Sequence, residues 1–190
     1  MSYSLKDDLP SELLNGQIVA MSPRPTVNHN RISENIYSIF RVLLKRNTCT
    51  VFGDGYDVYL SENDRVIPDV MIVCNPSIIK DNGIHGVPNL IVEVLSPSTS
   101  KNDRGYKKDL YAESGVSDYW IVDPFARSIE VYSLADGQYR LVEVASQYPN
   151  YILETMEEEE KSKISVKFQT PLFPDFDISI EEVFEDLPPF

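Results

Sequence analysis

The stretch PNLIVEVLSPST, residues 88–99, places a carboxylate inside an expected strand. Glu93 stands within the otherwise apolar run of residues 90–95, and turn-forming residues follow directly. A run of four to eight apolar residues closed by a turn is typical of a strand covered on both faces. An isolated ionised carboxylate is costly in that setting, so Glu93 is expected to be neutralised, paired or bound to a metal.

A second carboxylate, Asp69, follows Pro68 and opens the apolar run of residues 70–73. Two carboxylates on neighbouring strands would repel each other unless a cation lay between them. A hard divalent cation such as Mg²⁺ is often held by one or two carboxylates together with phosphate and water. The pair therefore predicts a metal site. The alternative is that each acid is structural, bonded to Arg or to backbone N–H groups.

The segment KNDRGYKKDLYAESGV, residues 101–116, predicts a helix that ends at Gly115. Lys107 and Tyr111 are four residues apart and share a face, whereas Lys108 lies on another side. A lysine close to two carboxylates could orient or deprotonate a water, or stabilise charge on a phosphorane-like transition state. The alternative is that Lys107 and Lys108 form a solvated basic face.

The remaining pattern predicts a mixed sheet flanked by helices. An amphipathic helix is expected within residues 28–47, and a closing helix at residues 179–184. The segments 49–53 and 56–60 are expected to form a hairpin around Asp54 and Gly55. Strands are expected at residues 16–23, 49–53, 56–60, 65–74, 90–95, 118–124, 128–134, 138–145 and 163–168, with a loop at 75–87.

Composition limits the function classes. A chain of 190 residues suits one domain. Its net charge of −13 argues against broad, non-specific binding of nucleic acid, because such binding comes mostly from Lys and Arg. A local basic cleft or bound metal ions are compatible with that charge. Cys49 and Cys74 are far apart and form no CxxC motif, so neither a zinc site nor a disulfide framework is expected. With no signal-peptide core and no apolar run of about 18 residues, a cytosolic location is predicted.

Other motifs carry less chemistry. No GxGxxG, P-loop, HExxH or GxSxG motif is present, and the serines after Glu93 are better suited to turn formation and helix capping. His29 opens the first expected helix, and Glu34 lies five residues on. Either side chain could reach a cleft, or both could cap the helix and face solvent.

Four segments together resemble a known family: IPDVMIVC, PNLIVEVLSPST, DRGYKKDLYAESGVSDYWIVDP and the earlier ELLNGQIVAMSP…NHNRI. They are similar to the Uma family, a mostly bacterial group of restriction-endonuclease-like proteins in the PD-(D/E)xK nuclease superfamily. The resemblance runs from about Glu12 to the end of the chain and is densest over residues 68–124. It implies a single restriction-endonuclease-like domain over residues 1–190, with a core at about 28–134 and extra strands at both ends.

The resemblance also implies roles for individual residues. Asp69 and Glu93 match the two acids that bind Mg²⁺ (or Mn²⁺), and the backbone carbonyl of Val94 would supply a further ligand. Leu95 stands where the in-line lysine of the superfamily belongs. In this family the lysine has moved to the following helix, which assigns Lys107 to positioning the attacking water.

The spacing D-x-x-x-K-x-x-x-Y of Asp103, Lys107 and Tyr111 carries that assignment. Tyr111, His29 and Glu34 are possible accessory residues. The implied function is a metal-dependent endonuclease or phosphodiesterase acting on nucleic acid, with DNA as the first candidate substrate and a homodimer as the candidate assembly. The alternative is a catalytically weak or inactive nuclease-fold module for binding or regulation, which the acidic balance and the missing in-line lysine favour.

Overall fold

The computed structural model describes residues 10–21 and 24–188. Residues 1–9, on which the expectation of no signal peptide rests, lie outside the described residues, as do the last two residues of the strand expected at 16–23. Within the described ranges, no helix is both long enough and apolar enough to cross a bilayer.

The described chain contains six helices and fourteen strands. The helices are α1 (Val27–Leu43), α2 (Ser100–Arg104), α3 (Tyr106–Ser114), α4 (Asn150–Leu153), α5 (Glu158–Lys161) and α6 (Ile180–Val183). The strands are β1 (Ser11–Leu14), β2 (Gln17–Ala20), β3 (Thr50–Phe52), β4 (Val58–Tyr59), β5 (Arg65–Val66), β6 (Val70–Val73), β7 (Ile79–Lys80), β8 (Gly83–His85), β9 (Leu90–Val94), β10 (Asp118–Asp123), β11 (Ser128–Ala135), β12 (Gln138–Ser146), β13 (Lys167–Thr170) and β14 (Phe173–Ser179).

The central sheet has six strands in the order β12-β11-β10-β9-β6-β3. β9 and β10 run parallel, and the other neighbouring strands of this sheet are antiparallel. A parallel pair needs a crossover connection, and here the crossover contains α2 and α3. The expected mixed sheet flanked by helices is therefore present, with β9 near its middle.

The two faces of β9 pack against different helices. Val92 and Val94 share a core cluster with α1. Ile91 and Leu95 share a second cluster with α3. Because successive side chains of a strand point to opposite faces, Glu93 lies on the α3 side together with Ile91 and Leu95.

The first helix forms and packs as its spacing predicts. Thr26 caps α1, since its hydroxyl accepts a hydrogen bond from the N–H of His29 at 3.2 Å. Ile32, Ile36 and Phe40 follow one stripe of the helix and are fully buried against the central sheet. This packing fixes the position of His29 in the first turn of the helix.

A smaller sheet, in the order β2-β1-β5-β4-β8-β7, lies beside the central one. β1 and β2 form a hairpin around Asn15 and Gly16, both at positive φ (50° and 73°) as a two-residue turn of this kind requires. The sequence predicts one strand over residues 16–23, so it misses β1. It predicts a loop over residues 75–87, where the structure has the β7–β8 hairpin.

The hairpin expected around Asp54 and Gly55 is wrong. β3 pairs with β6 in the central sheet, whereas β4 pairs with β5 and β8 in the small sheet. The strand expected over residues 65–74 is likewise divided into β5 and β6, which belong to different sheets. Pro68 lies between them, and proline has no N–H to continue a strand ladder.

The helix expected from residue 101 is broken at Gly105. A Cβ atom at residue 105 would lie 2.9 Å from the carbonyl oxygen of Lys101. Glycine has no Cβ, so it fits the backbone at this break. Gly115 adopts φ 92° and ends α3, as the sequence predicts.

The expectation that the two cysteines form no disulfide is wrong: Cys49 and Cys74 are bonded. β3 and β6 pair Thr50 with Val73, so one further step in the register brings the cysteines opposite each other. Their distance along the chain hides this contact, because it depends on strand pairing. Disulfides are rare in the cytosol, so the cysteines no longer support a cytosolic location, which stays a prediction.

Asp64 links the small sheet to α3. Its carboxylate accepts hydrogen bonds from the N–H of Asn15 (2.9 Å), the hydroxyl of Ser61 (2.8 Å) and the hydroxyl of Tyr106 (2.7 Å). Burial raises the pKa of Asp64, but these donors outweigh it and the pKa is lowered. Tyr106 directly precedes Lys107, so this link also helps to position the start of α3.

We expect Asp64→Ala to lower the free energy of unfolding by about 1.5–3 kcal/mol near neutral pH, the range for hydrogen bonds to a charged group. A lowered pKa gives stabilisation that is present above the ordinary Asp pKa of about 3.9 and is lost as pH falls through the folded-state value. Urea unfolding near pH 7 and near pH 3 should show the difference from wild type shrinking at the lower pH. Glu62→Ala, at an exposed position in the same turn, is the control. A difference that does not change with pH would contradict this account.

Candidate active site

Asp69 and Glu93 lie at the same end of the central sheet. The antiparallel strands β6 and β9 pair Val70 with Val92, so the next step of the register sets Asp69 opposite Glu93. Directly opposed residues have Cβ atoms about 4.5–5.5 Å apart. The carboxyl end of β3 reaches this edge as well, and Asp54 follows it closely enough for its charge to act on Asp69.

Two donors from α3 hold Glu93. The ammonium of Lys107 and the hydroxyl of Tyr111 both donate to Oε1 of Glu93, at 2.9 Å and 2.7 Å. The two donors lie one helical turn apart on the same face of α3. Lys107 thus reaches Glu93 although the position two residues along the strand is Leu95. What Lys107 does in catalysis stays a prediction.

The Lys107 ammonium is surrounded by carboxylates. It lies 2.9 Å from Glu12, 2.9 Å from Glu93 and 3.5 Å from Asp103. Three carboxylates thus lie within ion-pair distance of one ammonium group, and Glu93 accepts a hydrogen bond from it. Burial lowers the pKa of Lys107, but the charges of Glu93, Glu12 and Asp103 outweigh it and the pKa is raised. Lys107 is therefore a buried cation at neutral pH.

Asp69 connects the sheet to α1. Its Oδ2 accepts a hydrogen bond from the N–H of Val94 at 2.7 Å, and its Oδ1 lies 3.4 Å from Nε2 of His29. Burial lowers the pKa of His29, but the hydrogen bond and charge of Asp69 outweigh it, with help from Asp54 and the Val94 backbone, and the pKa is raised. A positive charge is thus favoured beside Asp69.

Carboxylates outnumber cations at this end of the sheet. We call the following five side chains the acid cluster: Glu12, Asp54, Asp69, Glu93 and Asp103. Burial raises the pKa of Glu93 well above its ordinary value, and it raises the pKa of Asp54 and Asp103 as well. Lys107 and His29 supply the positive charge that lowers the pKa of these three acids in part. The remaining negative charge would be relieved by bound protons or by a cation.

A cleft of about 600 Å³ opens beside Asp69, between α1 and β3. His29 and Asp69 lie at one end of it, and Asp54 lines it as well. Lys107 and Glu93 do not line it; they lie behind Asp69, nearly shielded from solvent. The acid cluster is therefore reached from solvent on the side of Asp69 and His29.

Two acids of the cluster, Glu12 and Asp54, are not predicted from the sequence as site residues, and a third, Asp103, has no predicted role. Glu12 and Leu14 are the buried pair of β1, so Glu12 holds a place in an alternating strand that an apolar residue would usually fill. The Asn-Gly turn could have revealed that strand. Asp103 was singled out only for its spacing to Lys107, and Asp54 was read as a turn residue.

Glu34 lies apart from the acid cluster. Its side chain is 65% exposed on the wall of the cleft and pairs with Arg31 at 3.3 Å. Its accessory role stays a prediction. Within residues 10–21 and 24–188, no group of three or more His, Cys, Asp or Glu side chains is placed so that it could hold a metal ion.

Comparison with known proteins identifies the family. The Uma2 family, described as "Putative restriction endonuclease", matches residues 2–163, a range that contains every residue of the acid cluster. The chain belongs to the Uma2 family. The resemblance inferred from the sequence is therefore confirmed.

Two relatives come from Synechocystis sp. and are described as uncharacterized proteins. One is 33% identical over 127 residues, which cover 66% of this chain and 66% of the relative. The other is 27% identical over 139 residues, covering 70% of this chain and 78% of the relative. The matched region thus spans about two thirds of the first relative's length.

A solved structure shares the fold. The crystal structure of a "putative nuclease belonging to DUF820" from Anabaena variabilis is 19% identical, with a TM-score of 0.68 over 92% of this chain and 89% of that one. The predicted fold class, a restriction-endonuclease-like mixed sheet flanked by helices, is confirmed. Family and fold together place this Uma2 protein among the restriction-endonuclease-like nucleases in structure.

We expect Lys107→Met to destabilise this Uma2 protein by about 3–5 kcal/mol near pH 7.5, because it leaves buried carboxylates without their cation. Without Lys107 the carboxylates bind protons more tightly in the folded state than in the unfolded state, so the loss should shrink as pH falls toward 5. Urea unfolding at the two pH values measures it.

The matched control is Lys108→Met. Lys108 is the next residue of α3, and its ammonium lies over the ring of Tyr132, 3.6 Å from the centroid. We expect it to cost about 1 kcal/mol or less at both pH values. Equal losses for the two variants would show that the carboxylates do not depend on Lys107.

Proposed function

We propose that this Uma2 protein is a metal-dependent endonuclease or a related phosphodiesterase that cleaves nucleic acid, with DNA as the first substrate to test. The observation that carries the proposal is the acid cluster itself. Asp69 and Glu93 face each other at one end of the sheet, beside a cleft, with more negative charge than Lys107 and His29 neutralise. Family membership supports the same chemistry.

The residues at the site suit a hard divalent cation. Asp69 and Glu93 offer carboxylate oxygens. The N–H of Val94 donates a hydrogen bond to Asp69, which holds this end of β9 beside it. Mg²⁺ typically takes one or two carboxylates and completes its shell with water and substrate phosphate, so a cage made only of side chains is not required. Burial, together with the charges of the neighbouring acids, raises the pKa of Glu93, and a bound cation would favour its ionised form. We therefore assign Mg²⁺ or Mn²⁺ to Asp69, Glu93 and the Val94 carbonyl.

When bound, such an ion polarises the scissile phosphate and lowers the pKa of a coordinated water. The chain's own residues orient the ligands for this task. Lys107 and Tyr111 both donate to one oxygen of Glu93, which leaves the other carboxylate oxygen available. Burial and the charge of Glu93 raise the pKa of Tyr111, so its hydroxyl keeps the proton that it donates.

Lys107 enters the proposal as a positioning residue. The resemblance assigns it to the attacking water, but its ammonium is buried and lies within ion-pair distance of three carboxylates. It does not line the cleft, so we propose that it acts through Glu93, which accepts its hydrogen bond. His29 is the better placed proton donor, because it lines the cleft beside Asp69 and its pKa is raised. Donation of Nε2–H to a phosphate oxygen would replace its contact with Oδ1 of Asp69.

We expect Asp69→Asn and Glu93→Gln each to reduce Mg²⁺-dependent cleavage by at least about 10²-fold, the scale of losing one electrostatic group in an active site. The assay covers single-stranded, double-stranded and branched DNA and RNA. Asp175→Asn, at an exposed position on β14, is the control. Thermal unfolding of each variant establishes that it is folded. The proposal fails if either folded variant cleaves as fast as wild type.

The second candidate is a nuclease-fold binding module with little or no catalysis. The burial of Lys107 among Glu12, Glu93 and Asp103 favours it, because that cation is not presented to a substrate. Two buried carboxylates that face each other cost free energy. A protein with no catalytic use for them would gain little from that arrangement, so their presence favours the enzyme over the binding module. Homodimerisation and the choice of metal stay predictions under either candidate.

Calorimetric titration with Mn²⁺ in the absence of nucleic acid separates the candidates. For the enzyme we expect heat of binding to wild type that is lost in Asp69→Asn, because one carboxylate of the site is gone. Asp175→Asn should bind as wild type does. No binding to the wild type, together with no cleavage of any substrate, would favour the module.

A further inference from the structure

The cleft extends well beyond the acid cluster, along one face of α1. His29, Ser33, Tyr37 and Arg41 follow each other at four-residue spacing and all line it. From His29 to Arg41 the helix rises about 18 Å, at about 1.5 Å per residue. Hydrolysis at Asp69 requires only the first part of this length, so the rest of the cleft has no role in the chemistry proposed above.

Aromatic side chains line the middle of the cleft on both sides. Tyr37 comes from α1, while Phe52 and Tyr56 come from the end of β3 and the loop that follows. The rings of Phe52 and Tyr56 meet edge to face at 5.2 Å, which supports the outer ring. Tyr56 is nevertheless 47% exposed. A braced aromatic ring that remains open to a cleft is a platform on which a planar group can stack.

The end of the cleft far from Asp69 is basic. Arg41 lines it, and Lys45 and Arg46 follow directly after α1. In the described part of the chain, no acidic side chain lies within ion-pair distance of these three. Of the three, Arg41 is the one that lines the cleft, and a cation without an acidic partner favours a bound phosphate there.

The aromatic rings favour one form of nucleic acid. In a duplex the faces of each base are covered by the neighbouring base pairs, whereas the bases of a single strand can turn toward a wall and stack on an exposed ring such as Tyr56. A single strand is therefore the form of nucleic acid that can use the rings of this cleft.

We infer that this cleft binds a single strand of nucleic acid, with bases stacked on Tyr56 and Tyr37 and a backbone phosphate at Arg41. The strand then leads to Asp69 at the other end, and this last step rests on the proposed function. Stacking explains how so acidic a protein holds a polyanion, since every base has a face that an aromatic ring can contact regardless of sequence.

Fluorescence anisotropy tests the inference without any cleavage. The probe is a short fluorescein-labelled oligothymidylate, compared with a blunt duplex of the same length and with a strand of abasic sites, all in EDTA. We expect the oligothymidylate to bind at least about tenfold more tightly than the duplex or the abasic strand, because only it has bases that are free to stack on the rings. An oligouridylate arm reports whether the strand is DNA or RNA.

Variants locate the site. Tyr56→Ala should weaken binding of the oligothymidylate by about tenfold, whereas Tyr56→Trp should retain it, because stacking needs a ring and not a hydroxyl. Tyr151→Ala is the matched control: Tyr151 is 68% exposed and lies on α4, outside the cleft. Arg41→Gln should reduce the slope of log affinity against log salt by about one phosphate contact, and Arg140→Gln should not.

The inference is overturned if the duplex or the abasic strand binds as tightly as the oligothymidylate, if Tyr56→Ala binds as wild type does, or if no strand binds. These results are independent of catalysis. Tyr56-dependent binding without any cleavage would refute the proposed function and keep the inference. Cleavage of a duplex by a protein that binds no single strand would refute the inference and keep the proposed function.

Discussion

The burial of Lys107 against three carboxylates is the interaction around which this Uma2 protein is organised. The three acids come from β1, β9 and α2, so one ammonium joins the small sheet, the central sheet and the crossover helices. Removing a cation from water is costly, and only several well-placed acids make it tolerable. The same contacts hold Glu93 in one orientation. Structural stability and the geometry of the site therefore depend on the same few atoms.

The alternation of side chains along β9 separates two tasks. On the α3 face, Glu93 is shielded and held by Lys107 and Tyr111. At the edge of the sheet, Asp69 is held by the N–H of Val94 and opens toward the cleft beside His29. One acid is thus anchored in the interior, and the other faces the cleft. An active site that must be rigid and yet accessible gains from this arrangement, because the anchored acid restricts where a cation or a phosphate can lie.

Much of the fold could be predicted from local patterns. α1, β9 and the end of α3 at Gly115 follow from apolar spacing and from a glycine with positive φ. The sequence could not show that β3 pairs with β6 and leaves β4 to the other sheet, because a two-residue turn signal says nothing about competing partners further along the chain. The Cys49–Cys74 disulfide was missed for the same reason.

For the site, the chain by itself identified Asp69 and Glu93 as charges in apolar strands, and Lys107 and Tyr111 as one face of a helix. Those features depend on residues close together in sequence, where strand and helix periods are known in advance. Three-dimensional packing added Glu12 and Asp54 and gave Asp103 its place beside Lys107. It also buried Lys107, which the sequence had left either beside the two acids or on a solvated basic face. These features depend on contacts between segments far apart in the chain, and such contacts exist only once the sheets have paired and the helices have packed on them.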